Sequence, residues 1–247
     1  MFERTMEMSA TPHVTVDMCQ GSLTVRGDAE REVRLLVWEE DDQVSLERDG
    51  ETLAITIPAN GTLICPPGTK LTLDRVMGSV HVAGVTGSLA IGTVHGNATL
   101  AEVGPVALKE ALGNLKARSI AGDLTGEDVK GNVRVHGLDG RLTLGQVAGN
   151  VTAEGLEGGL EVERARGNVR LGPEFLAGKT YRVNASGNLT LLLPADADIR
   201  LALRAGGHVH SQVPGLDLET VDGETRATVG SGEALVEADV RGNVMLR

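Results

Sequence analysis

Residues 131–159 read GNVRVHGLDGRLTLGQVAGNVTAEGLEGG. Glycine returns at 131, 140, 149 and 158, and similar residues follow it each time. From Gly78 the chain divides into GSVHVAGVT, GSLAIGTVH, GNATLAEV, GPVALKEAL, GNLKARSIA, GDLTGEDVK, GNVRVHGLD, GRLTLGQVA, GNVTAEGLE, GGLEVERAR and GNVRL. One unit is a residue short; the others keep a nine-residue period. A repeat this regular has to be read before anything else, because it dictates the architecture.

The third position of each unit is apolar throughout, from Val80, Leu89 and Ala98 to Leu160 and Val169. The eighth is apolar too, from Val85 and Val94 to Leu156 and Ala165. The fifth is mostly Val, Leu or Ile, with Ala117, Gly126 and Ala153 as small exceptions. Positions three and five share one face of a strand. Position eight is expected beyond a bend. A helix would need spacings of three and four, and a glycine in every unit would weaken it repeatedly. Short strands between glycine-containing corners fit better.

A longer period lies inside the first. Alternate units carry Asn after the glycine, at Asn97, Asn114, Asn132, Asn150 and Asn168, with Ser79 heading the series. The intervening units carry Ser88, Pro105, Asp123, Arg141 and Gly159. The reading is therefore all-β: a single-chain parallel β-helix, or β-solenoid, with about eighteen residues per coil in two nine-residue halves. The crossover rule makes it right-handed. Coils would stack about 4.8 Å apart. The asparagines would then form a hydrogen-bonded ladder along one corner. The glycines would mark sharp turns, and positions three, five and eight would line the core. Leu142 would point in and Arg141 out.

The same signature recurs outside this stretch, in GSLTVRG (21–27), GTLICPPGTKLTL (61–73), GNLTLLLP (187–194), GHVHS (207–211) and GNVMLR (242–247). One continuous solenoid domain over 1–247 is expected. It comprises an irregular N-terminal part (1–77) with a hairpin excursion, regular nonapeptides (78–172), and irregular C-terminal coils (173–247). In the excursion, Val33/Leu35/Val37, Val44/Leu46 and Leu53/Ile55/Ile57 mark three strands. Asp49-Gly50 marks a hairpin turn, and Glu39-Glu40-Asp41-Asp42 a solvated tip. A second interruption falls near Pro173. The last segment, Gly242–Arg247, is a core-type strand. It is expected to pack on another subunit, giving a homo-oligomer through a solenoid end, or to be covered by an excursion.

Composition agrees with a slender core. Of 247 residues 41% are hydrophobic, yet only 2% are aromatic, so aliphatic groups must do the filling. The net charge of −11 and the scattered Lys and Arg argue against nucleic acid and anionic membranes. The N-terminal MFERTMEMSATP lacks the apolar run of a secretory signal, and there is no apolar run long enough for a membrane span. A cytoplasmic protein is the expectation, with Cys19 and Cys65 as buried reduced thiols.

Chemistry leaves little trace. The sixth positions of the units contain no Asp, which excludes a nonapeptide calcium roll. The acidic run at 39–42 lacks the spacing of a calcium loop. His81, His95 and His136 occupy different repeat positions and would not stack. His208 and His210 share a strand face, but no nearby Cys completes a zinc set. Ser231, in GSGEA, lacks the strand-to-helix elbow of a nucleophile. Glu127-Asp128 and Glu161/Glu163 could in principle serve as acid and base, although solvated surface charge is by far the better explanation. No catalytic, cofactor-binding or metal-binding residues are assigned, and no cofactor is expected.

Together HVTVDMCQGSLTVRG, ETLAITI, LICPPGTKLTLDRVMGSVHVAGVTGSL, the G-[ND]-[VL] units and ASGNLTLLLPADADIRLAL resemble the bacterial putative-adhesin family of β-strand-repeat proteins. The resemblance spans nearly the whole chain. It implies a single-chain β-helix of unknown function and carries over no catalytic or binding residue. The expected function is a non-enzymatic scaffold or interaction protein with a protein partner. The alternatives are a surface adhesin or ligand-binding module, a polymer-forming cytoskeletal-type solenoid, and a carbohydrate-active β-helix enzyme.

Overall fold

The computed structural model describes residues 2–38, 44–194 and 196–247. It is all-β, with no helix among the described residues. The acidic run at 39–42 lies outside those residues. Two compact units are formed, Met1–Gly126 and Glu127–Arg247.

The first unit contains β1 (Phe2–Glu7), β2 (His13–Cys19), β3 (Leu23–Gly27), β4 (Glu32–Val37), β5 (Ser45–Asp49), β6 (Thr52–Ile57), β7 (Gly61–Cys65), β8 (Lys70–Val76), β9 (Val80–Ala83), β10 (Leu89–Val94), β11 (Ala98–Val103), β12 (Val106–Ala111) and β13 (Leu115–Ile120). One sheet runs β1-β4-β7-β3-β9-β11-β13, the other β12-β10-β8-β2-β6-β5. β14 (Leu124–Val129) spans the division. The second unit contains β15 (Val133–Leu138), β16 (Leu142–Val147), β17 (Val151–Leu156), β18 (Leu160–Ala165), β19 (Val169–Leu171), β20 (Thr180–Ala185), β21 (Leu189–Leu191), β22 (Ile199–Ala205), β23 (Val209–Ser211), β24 (Glu219–Val221), β25 (Glu224–Val229), β26 (Ala234–Val240) and β27 (Val244–Leu246). Its sheets run β15-β17-β19-β21-β27-β23 and β16-β18-β20-β26-β22-β25-β24.

Each repeat unit supplies one strand, and consecutive strands alternate between the two sheets. Pairing is parallel. Val133 lies beside Val151 and Val151 beside Val169 in one sheet, while Leu142 lies beside Leu160 in the other. Facing sheets alone would describe a sandwich; parallel pairing of every second strand is the signature of stacked coils. The third, fifth and eighth positions are buried as expected, with Leu142, Leu144 and Val147 at most 1% exposed. A fully buried aliphatic side chain contributes about 1.5–3 kcal/mol, and this core repeats such triplets in every coil. Its largest fully buried side chain is Tyr181. The Tyr181 hydroxyl contacts Leu156 O of the opposite sheet at 3.4 Å and accepts from Leu176 N at 3.0 Å. Phe175 packs edge-on against its ring, so the interruption after Pro173 folds back onto the core.

The asparagine ladder is present. Asn150 N and Nδ2 donate to Asn132 Oδ1 at 2.8 and 3.2 Å, and Asn168 N to Asn150 Oδ1 at 2.8 Å. It extends further than expected, through Asn188, Asn243 and the backbone of His208 in the second unit, and through Ser79, Ser22 and Asn60 in the first.

One expectation is refined and two are corrected. The ladder-side glycines sit at bends between strands, as expected, but not in a left-handed conformation, since Gly113, Gly149 and Gly167 have no positive φ. They are needed because coils approach closely. A Cβ on Gly149 would lie 2.5 Å from Gly131 O, the atom that its own N–H bonds at 3.0 Å. Nor is position eight reached across a bend between strands, because positions three to eight form one strand, as in Leu142–Val147. Strict alternation would turn position eight outward. In the Asn-bearing halves a left-handed residue at position seven restores it: Gly84, Glu102, Ser119, Gly137 and Gly155 have φ of 74°, 54°, 52°, 73° and 65°. In the other halves the pairing skips position six, between Ile91↔Leu108 and Thr93↔Glu110. Both are in-register kinks, shared by the paired strands, that re-aim the next side chain.

Thirdly, the ends are not simple continuations. β4 pairs antiparallel with β1 and β7, whereas β6 lies in the other sheet, parallel to β2 and antiparallel to β5. The three expected strands of the excursion are therefore divided between two sheets. In the β5–β6 hairpin Asp49 pairs with Thr52, so the two-residue turn is Gly50-Glu51, one step later than expected. At the other end β27 lies between β21 and β23 and is not an edge. Within this chain Gly242–Arg247 is covered on one side by β23, from the preceding excursion.

Candidate functional site

The outer face of the second unit's larger sheet carries the most developed side-chain cluster. Pairing across it aligns Glu161 with Arg182, Arg182 with Glu237, and Glu237 with Ala202. On the far side of Ala202 stands Arg226, which aligns with Glu219. The row is charged except at Ala202, whose methyl leaves an open groove of about 260 Å³ between Arg182, Arg204, Glu224, Glu237 and Asp239. Strand alternation puts these side chains outward, because Val183, Leu203 and Ala238 face the core.

The groove's charges are cross-paired. Arg182 Nε donates to Glu237 Oε2 at 2.6 Å, and Arg226 Nε to Glu224 Oε1 at 2.7 Å. Arg204 Nε lies 3.3 Å from Glu224 Oε2. The hydrogen bond from Arg226 holds the Glu224 carboxyl below the usual carboxylate range, and the bond to Glu237 raises the Arg182 guanidinium. An ionised glutamate between two guanidiniums cannot donate a proton near neutrality. What the groove offers is three cation–anion contacts on an outer sheet face, suited to polar recognition.

The residues singled out from sequence do not converge. Glu161 accepts from Arg141 at 2.8 Å, and Asp128 from Lys130 at 2.5 Å. Arg141 is thus half-buried and ion-paired, where a free outward side chain was expected. Glu163 faces solvent. His81 aligns with Thr24 and Thr99, and His136 Nδ1 lies 3.6 Å from Glu154 Oε2, so these histidines do not stack. His208 and His210 are exposed. No trio of His, Cys, Asp or Glu that could hold a metal occurs among the described residues. Ser231 Oγ donates to Asp198 Oδ2 at 2.6 Å, and Asp198 Oδ1 also accepts from Gly232 N and Glu233 N. This serine closes a loop. Cys19 and Cys65 are buried free thiols; burial pushes Cys65 up to about 11 and raises Cys19 as well.

Sequence reading missed the groove because its members come from four strands that are neighbours only in space. The one local signal was Asp222-Gly223, which forms the two-residue turn of the β24–β25 hairpin that brings in Glu224. It missed a second cluster for the same reason. Lys130, Arg164 and Arg166, with Asp128 paired to Lys130, gather around Gln146 and Ala148 in an open niche of about 40 Å³.

No family model and no curated protein matches this chain. Two crystal structures do. One is of a putative cell adhesion protein from Clostridium sporogenes, 12% identical, with 100% of this chain and 99% of that one covered and a TM-score of 0.21. The other is of a putative adhesin from Bacteroides fragilis, 12% identical, with 100% and 96% covered and a TM-score of 0.27. No helix among the described residues is long and apolar enough to cross a membrane.

Proposed function

We propose that the chain is a non-enzymatic interaction scaffold, a right-handed β-solenoid of about eighteen residues per coil whose outer faces engage another macromolecule. The observation that carries this reading is the stacking itself. Residues eighteen apart in sequence sit one above the other, as in the Asn132–Asn150 and Asn150–Asn168 bonds. Any outward position thereby becomes a column of side chains on a flat and rigid sheet, a geometry suited to extended partners. The nonapeptide period runs through residues 122–131 without a break, which supports one continuous solenoid over 1–247. The paired state of Glu224 and Glu237 weighs against the carbohydrate-active alternative, since acid–base cleavage needs one carboxyl able to hold a proton.

Affinity capture from the native organism, with size measurement of the complex, tests the reading. A co-purifying macromolecule in fixed ratio is expected. A monomer that captures nothing, or turnover of a polysaccharide panel, overturns it. Cell fractionation separates a cytoplasmic scaffold from a surface adhesin, and filaments under the electron microscope would identify a polymer-former, including one that associates through a solenoid end.

A further inference from the structure

The niche around Arg164 and Arg166 is built by the repeat. In the second unit the residue before each ladder glycine occupies one corner column, because the same backbone bond recurs at every step: Ala148 N to Val129 O, Arg166 N to Val147 O, Ser186 N to Ala165 O and Arg241 N to Ala185 O. The column therefore reads Lys130, Ala148, Arg166, Ser186, Arg241, with a cation and a small residue in alternation. Two coil steps separate successive cations, roughly 10 Å. Beside it, Gln146 aligns with Arg164. Arg164 and Arg166 are exposed and form no ion pair among the described residues, and Lys130 is shared with Asp128. Glu163 is the carboxylate next to them in sequence, and it too is unpaired. On a chain of net charge −11, a niche in which Lys130, Arg164 and Arg166 outnumber the one lining carboxylate, Asp128, itself held by Lys130, is a local inversion of sign.

We propose that this corner column binds an acidic glycan, seating a sulfate or phosphate ester over Ala148 between Lys130, Arg164 and Arg166. A planar guanidinium presents paired donors to such an oxyanion. Ala148 leaves room for it, and Gln146 can donate to a sugar hydroxyl. The open shape favours a polymer-borne group over a free ion, because a free ion would keep most of its water and gain few contacts. Nucleic acid fits less well. No aromatic side chain lines the niche for a base to stack on. The proposal rests on the interaction-scaffold reading and narrows it to one ligand class and one corner.

The test uses the full chain with three probes, dextran sulfate, inorganic sulfate and oligothymidylate of matched charge, by calorimetry at low and physiological salt. Dextran sulfate should bind, more weakly as salt rises, and tighter than oligothymidylate by at least tenfold per charge, with inorganic sulfate near the detection limit. Arg164→Gln/Arg166→Gln should cut dextran sulfate affinity tenfold or more. Ala148→Glu, which fills the niche with an acid that Lys130 and Arg166 can neutralise, should do the same if the double variant folds poorly. Equal affinity of wild type and Ala148→Glu, no binding of dextran sulfate, or tighter binding of oligothymidylate would each overturn the proposal. If dextran sulfate fails while affinity capture still yields a partner, the scaffold reading survives and only the glycan assignment falls.

Discussion

The regular coils of the second unit, Val133–Leu171, and its C-terminal part, Thr180–Leu246, order their strands differently, and only the latter includes strands without a buried residue, β23 and β24. In the first, each strand pairs with the next but one in sequence. In the second, β20 pairs with β26, β26 with β22, and β21 with β27. Linker length explains the contrast. Leu138 and Leu142 are separated by three residues, which reach only the facing strand of the next half-coil. The segments after Leu191 and Ser211 are longer and let the chain pass a coil by and return. Apolar periodicity thus tells which side chains go inside along the regular coils, and which strands are neighbours only where the links are short; in the C-terminal part Val221 stays exposed.

The sharpest test of that contrast puts a charge into each region. Leu142 and Leu246 are both fully buried. Leu142→Asp and Leu246→Asp should each cost at least the roughly 2–5 kcal/mol of truncating a buried leucine, with the buried charge in addition. Equal losses in urea denaturation mean that β27 is enclosed between β21 and β23. A tolerated Leu246→Asp means that it is an exposed end. Arg141→Asp makes a useful neighbour control. It exchanges the half-exposed pair with Glu161 for two like charges, and should cost no more than about 1 kcal/mol.

Next in size comes the glycine column. Gly149→Ala would set a Cβ 2.5 Å from Gly131 O and 2.7 Å from Asn132 Oδ1, atoms held by the ladder. A loss of about 1–3 kcal/mol is expected, as for other forced contacts in packed interiors. Gly215, whose Cβ would meet nothing within 4 Å, has a positive φ of 72°, so Gly215→Ala should lose only the smaller backbone term of about 1 kcal/mol. A loss at Gly149 no larger than that at Gly215 would mean that the coils admit a methyl there and that close stacking is not what the ladder glycines supply.

Asn150→Ala should cost about 0.5–1.5 kcal/mol, because Asn168 N loses its acceptor at an exposed corner where water can substitute. Chemical denaturation can resolve such a change. Asn243→Ala, in the reordered region, should match it, since Asn243 Oδ1 accepts from His208 N in the same way. Unequal losses would show that the ladder is weaker where chain order is broken.

Inward positions, the ladder and the glycine column were legible because each is a local repeat, and stacking identical units puts like beside like. Two kinds of feature were not. The kink at position seven is hidden, because Glu102 and Ser119 hold the left-handed conformation that Gly84, Gly137 and Gly155 advertise. Both surface clusters were invisible because they are read across the coils. Lys130, Arg166 and Arg241 are scattered singles along the chain, yet each precedes a Gly-Asn pair, and that shared phase is the signal that would have collected them.

The smallest expected effect concerns pH and separates the reordered region from the regular coils. Asp198 caps the loop before β26, accepting from Ser231 Oγ, Glu233 N and Gly232 N. These bonds, the one from Ser231 foremost, hold its carboxyl below the usual carboxylate range. A group whose pKa is depressed by folding adds stability above its unfolded value, near 3.9. That stability is lost as pH falls through the lower folded value. Stability measured from pH 6 down to pH 2 should therefore fall less steeply in Asp198→Asn than in the wild type, with Ser231→Ala in between. The carboxylate is exposed, so the difference should be small and confined to that acid limb. A wild-type slope retained in Asp198→Asn would assign the acid sensitivity elsewhere, first to Glu224, which Arg226 and Arg204 hold low in the adjoining groove.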